Sequence, residues 1–151
     1  MNQDNSVDAL NTLIEINNDR IAGYKTAAEE TDENELKVLF SQFSRTSQTC
    51  NSALIAEVRK LGGTPIEGTK TTGKIFRAWM DFKAMLTGKS RATILNSCEY
   101  GEEVALDTYN DVLSKYREDL SVEHQRLFTA QSFLIKADHD RVKGLHEMAE
   151  A

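Results

Sequence analysis

Apolar residues along this chain return at alternating steps of three and four, the spacing that keeps side chains on one face of a helix. A first stripe runs Val7, Leu10, Ile14, Asn17, Ile21, Tyr24 and Ala28. Asp32 followed by Glu35 has the spacing of a capping box. It opens a second stripe of Leu36, Phe40, Phe43, Ser47, Cys50, Leu54 and Leu61, which Gly62, Gly63 and Pro65 stop. Ser90 is placed to cap a third helix, with Leu95, Cys98, Glu102, Ala105, Tyr109, Val112 and Tyr116 on its face. Ser121 is placed to cap a fourth, with Leu127, Gln131, Leu134, Asp138, Leu145 and Met148.

Four such helices of roughly 25 residues, each about 37 Å long, bury their stripes together most simply as a four-helix bundle. Val and Ile seldom alternate with polar residues, so the predicted fold class is all-α. The first two helices are joined by a short turn and are therefore antiparallel neighbours. From Gly63 to Ser90 the connection is far longer than the roughly two to eight residues usual between adjacent bundle helices. It is expected to travel along the bundle, which sets helices 2 and 3 parallel. Within it Ile75, Phe76, Trp79, Met80, Phe82, Met85 and Leu86 make a short helical segment that is apolar almost all round. This segment has two readings: a crossover helix packed over the bundle, or a patch around Phe76, Trp79 and Met80 covered by another subunit.

Length adds that residues 1–151 form a single domain, large enough for its own core. A formal charge of −6 and a pI near 5.1 repel a phosphate backbone, so nucleic acid is not an expected partner. The first residues lack the basic and apolar regions of a signal peptide, and no apolar run approaches the roughly 20 residues a bilayer requires. A cytoplasmic protein without membrane insertion is expected. Cys50 and Cys98 lack CxxC spacing and sit on apolar faces, as reduced core residues do.

Each stripe is broken near its midpoint by a polar residue: Asn17, Ser47, Glu102 and Gln131, with Asp138 two turns beyond Gln131. Equal-length helices bring their midpoints to similar heights, so these residues are expected to form one buried polar layer. Such a layer either fixes helix register through hydrogen bonds or holds metal through inward carboxylates and histidines. Glu102 belongs to the acidic run Cys98-Glu99-Tyr100-Gly101-Glu102-Glu103, and a carboxylate on an apolar stripe demands a cation, a metal or donors. A metal pair in a bundle calls for a Glu on each of two helices and Glu-x-x-His on each of the other two. Helix 2 has no histidine, and no Glu stands three positions before His124, His139 or His146. The metal reading therefore rests on Glu99, Glu102 and His139, with iron, manganese or zinc as the ion. His139, between Asp138 and Asp140, reads first as an ion-pair partner, and His124 and His146 as solvated surface. No Ser/His/Asp order, phosphate loop or HExxH occurs, so no catalytic residue is assigned.

Several segments carry a family likeness. They are Ala27-Ala28-Glu29 through Leu39-Phe40, Glu57-Val58-Arg59-Lys60-Leu61-Gly62-Gly63, Trp79-Met80-Asp81-Phe82-Lys83, Cys98 to Glu103, and His139-Asp140-Arg141-Val142. Together, from about Val7 to Leu145, they resemble a family of uncharacterised bacterial four-helix-bundle proteins of the ferritin-like superfamily, a domain of unknown function. The resemblance implies a ferritin-like bundle with a long helix-containing crossover between helices 2 and 3, and no particular activity. The expected role is that of a non-catalytic bundle without cofactor, acting through a protein partner or as a homo-oligomer, in stress physiology as the fold suggests. The alternative is a ferritin-like metal-binding protein or oxidoreductase with a degenerate carboxylate site.

Overall fold

The computed structural model describes residues 3–68 and 91–150. Among the described residues there are four helices and no strand: α1 (Gln3–Glu30), α2 (Asn34–Lys60), α3 (Arg91–Lys115) and α4 (Val122–Glu150). The boundaries have local causes. Behind an extended Glu33, α2 begins without a side-chain cap, so Asp32 does not take the capping role its spacing predicts; the Thr31 hydroxyl accepts the Glu33 N–H instead. At the other end Gly62 adopts φ +77°, which costs glycine little, and the Gly63 N–H donates back to the Val58 carbonyl at 3.0 Å. Ser121 does cap α4: its Oγ accepts the His124 N–H at 3.0 Å.

Helix α1 packs against α2 and α3, and α4 against the same two, so the four stand at the corners of a square. Polar contacts fix their directions. Arg91 at the start of α3 pairs with Glu33 at 2.7 Å and Glu35 at 3.3 Å, beside the start of α2. Just past the end of α3, Asp119 accepts from Asn5 at 2.9 Å and from Ser6 at 3.0 Å, beside the start of α1. Helices α2 and α3 therefore run the same way across a diagonal, and every helix is antiparallel to both neighbours. Leaving α2, residues 61–68 climb α1: Gln3 donates to the Leu61 carbonyl, Asn11 to that of Thr64 and Asn18 to that of Gly68. Phe76, Trp79 and Met80, the rest of their apolar segment and the Ser90 cap lie outside the described residues.

The core takes Leu10, Leu13 and Ile14 from α1, Leu36, Phe40, Phe43 and Leu54 from α2, Leu95 and Ala105 from α3, and Phe128, Ile135 and Val142 from α4. Tyr24 seals it against Phe40 and Phe43, with ring centroids 5.6 and 5.2 Å away. Two stripes differ from the predicted ones. On α4 the heptad-spaced Phe128, Ile135 and Val142 turn inward with Gln131, which leaves Leu134 and Met148 largely exposed and Leu127 and Leu145 on the flank. On α1 Ile21 is only partly covered, while its neighbour Arg20 is wholly enclosed. No helix among the described residues is long and apolar enough to cross a membrane.

Candidate functional site

Arg20 stands near the middle of α1 with none of its side chain exposed, and its guanidinium reaches one residue on each of the other three helices. It donates to the Ser47 hydroxyl of α2, to Glu102 Oε1 of α3 at 2.6 Å and to Asp138 Oδ2 of α4 at 3.2 Å. Tyr24, one turn along α1, donates its hydroxyl to the same Glu102 oxygen and presents its ring 5.5 Å from the guanidinium carbon. Glu102 is as deeply enclosed as Arg20, whereas Asp138 keeps an edge toward solvent.

A second tie of four helices adjoins the first. Asn17 donates to the Tyr109 hydroxyl at 2.8 Å, Tyr109 donates to Gln131 Oε1 at 2.7 Å, and Gln131 Nε2 donates to the Cys50 carbonyl at 3.1 Å. These bonds link α1, α3, α4 and α2 in turn. Each interruption of an apolar stripe is thus a hydrogen-bonded partner of another helix. A one-residue slip of any helix would leave several of these groups unpaired in the interior.

Burial opposes the charge on Arg20, yet Glu102, Tyr24 and Asp138 hold it protonated more firmly than in water. Burial, and then Glu102, push the Tyr24 phenol well above its ordinary range; burial also raises Tyr109. The thiols of Cys98 and Cys50 are raised as well, chiefly by burial, so neither is a ready nucleophile. Asp138 is raised by burial, against the pull of Arg20 and with the help of Glu102.

Glu102 Oε1 already accepts from a guanidinium and a phenol, and a divalent ion at that oxygen would meet the fixed positive charge of Arg20. Glu102 Oε1 is thus satisfied within the protein, whereas its Oε2 is buried without a hydrogen-bond partner among the described residues. Of the set Glu99, Glu102 and His139 read from the sequence, Glu99 and His139 come together, and Glu103 stands with them where Glu102 was expected.

The family model of a domain of unknown function (DUF2383) matches residues 5–115, well over half of the chain. The chain belongs to this DUF2383 family. No curated protein matches it. The DUF2383 match spans Arg20, Ser47, Glu102 and Tyr109, whereas Gln131 and Asp138 lie on α4 beyond it.

Arg20 is the residue that the stripe reading of this DUF2383 chain passes over. Its signal lies in the alternative series Leu10, Leu13, Asn17, Arg20, Tyr24 and Ala27, which has the same alternation of three and four and takes a basic residue inward opposite Glu102. Two histidines also depart from the expected exposure. His124 is buried, stacks on Phe128 and lies 3.1 Å from Glu57 of α2. His146 lies 2.8 Å from Glu99 and is mostly covered.

Proposed function

We propose that this chain is a non-catalytic helical bundle of the ferritin-like type that acts through association with protein, in the first place a second copy of itself. The observation that carries the reading is the Arg20 guanidinium at its centre. Where a bundle enzyme would spend inward carboxylates on metal, Glu102 and Asp138 share one arginine here and Glu102 also accepts from a tyrosine, which points to the surface as the place of action. The parallel course of α2 and α3, with residues 61–68 laid along α1, supports the ferritin-like topology and a crossover between them.

The outer face of α4 supports the associating role. Val122, Phe133 and Leu134 are each at least half exposed there among the described residues. Arg126, Thr129 and Ala130 between them form a low-charge stripe on an otherwise acidic protein, where two copies meet with little repulsion. Sedimentation equilibrium of the full chain tests the reading. A mass that rises with concentration and returns to that of one chain in Phe133→Glu is the expected result; a single-chain mass at every concentration removes the self-association.

A further inference from the structure

On the outer side of the α3–α4 pair, away from the Arg20 network, Glu99 and Glu103 stand one turn apart and His139 faces them from α4. One ligand atom from each of the three lies within 4.8 Å of the other two. His139 Nε2 is 3.4 Å from Glu103 Oε1, and its Nδ1 is 3.2 Å from Asp140 Oδ1. Asp140 on Nδ1 and the Glu103 carboxylate before Nε2 give the layout metal-bound histidines use, with one nitrogen toward the ion and the other held by a carboxylate. Asp140 is itself fixed by Lys136, 2.9 Å from its second oxygen. Glu99 is held in the same way, with His146 Nδ1 2.8 Å from its Oε2. Two of the three inward donors thus have an orienting partner behind them. His139, Glu99 and His146 are mostly covered, and the open side is that of Glu103, which is 54% exposed.

We infer that Glu99, Glu103 and His139 form a site for one borderline divalent cation of the zinc type, with His146 and Asp140 as positioning residues. Two carboxylates and an imidazole suit such an ion better than calcium or magnesium, which favour an all-oxygen shell. Three protein donors with an edge open to solvent leave a coordination position for water. The site uses Glu103 and not Glu102, so it forms without disturbing the buried Arg20 pair, and it is independent of whether the chain self-associates.

Calorimetric titration of the metal-free, untagged full chain with zinc chloride tests this, with cobalt(II) as a spectroscopic probe of the ligand set. One equivalent is expected, with cobalt absorption bands of mixed nitrogen and oxygen coordination. His139→Gln and Glu103→Gln should each weaken zinc binding at least tenfold, and His146→Gln by about tenfold or more. His124→Gln, at a histidine on the far end of α4, should bind as the unsubstituted chain does. Glu103 is exposed whereas His139 is mostly covered, so far-ultraviolet circular dichroism verifies that each variant keeps its helices. Absence of saturable zinc binding, or full affinity retained in either His139→Gln or Glu103→Gln, overturns the site and leaves His139 as an ion-pair partner only.

Discussion

The Arg20 guanidinium lies 2.6 Å from Glu102 Oε1, and neither side chain meets solvent. Both charges lose hydration on folding, so the pair is worth little against a well-packed apolar substitute, but breaking it strands one buried charge. Arg20→Leu leaves Glu102 with Tyr24 alone, and a loss of about 3–5 kcal/mol is expected. Glu102→Leu should cost less, because Arg20 keeps Asp138 at 3.2 Å. The double variant Arg20→Leu, Glu102→Leu should recover much of the larger loss. Urea unfolding of the four proteins measures this as a double-mutant cycle, and simple additivity of the two losses would contradict the pairing.

Tyr109 both accepts and donates at its hydroxyl, joining Asn17 to Gln131. In Tyr109→Phe the Gln131 carbonyl oxygen loses its donor inside the bundle, while Asn17 keeps the Leu13 carbonyl at 2.8 Å. About 1–3 kcal/mol of stability should be lost, the usual cost of one buried group left unsatisfied. In a Gln131→Leu background the same substitution should cost less, since the stranded acceptor is gone. Equal losses in the two backgrounds, measured by denaturant melts, would separate Tyr109 from Gln131.

The four helices were legible because apolar spacing of three and four survives wherever one face must be buried, and stop signals such as Gly62 and Gly63 are local. The positions of Asn17, Ser47, Glu102 and Gln131 on those stripes were legible for the same reason. What they bind was not. Arg20 and Ile21 compete for one place on α1, and periodicity favours the apolar residue; the charge on Glu102, a helix away, reverses the choice. On α4, Leu134 and Ile135 compete likewise, and the winner is set by packing against α2 and α3 rather than by α4 itself. Long-range polar partners, such as His124 with Glu57 or His146 with Glu99, leave no periodic trace at all.

Burial raises the phenols of Tyr24 and Tyr109 above the ordinary value of 10, so the folded state keeps their protons after the unfolded chain has released them. Below that value both states are protonated and the phenols contribute no pH dependence. As pH rises past 10 the unfolded chain ionises first, and stability falls. Two of the four tyrosines should therefore ionise only together with the loss of helical circular dichroism. Absorbance titration of phenolate in Tyr24→Phe and Tyr109→Phe checks the assignment: each variant should lose one tyrosine from the late, cooperative step. Smooth ionisation of all four before any helix is lost would contradict the burial.

Glu57 links the ends of α2 and α4, paired with Lys60 at 2.9 Å and His124 at 3.1 Å. The Lys60 hydrogen bond first, and then that of His124, hold its carboxyl below the ordinary value of 4.5 despite some burial. A depressed carboxyl stabilises the fold above its unfolded value, and that contribution is lost as pH falls through the folded value. Lys60 is largely in solvent, which screens the pair, so the expected contribution is small. Glu57→Gln should thus be less stable than the unsubstituted chain near pH 7, and the difference should close as pH falls below 4.5. Thermal melts across that range read the gap. A gap that widens toward acid would show Glu57 to be held protonated instead, and would undo its role as the anionic partner of His124.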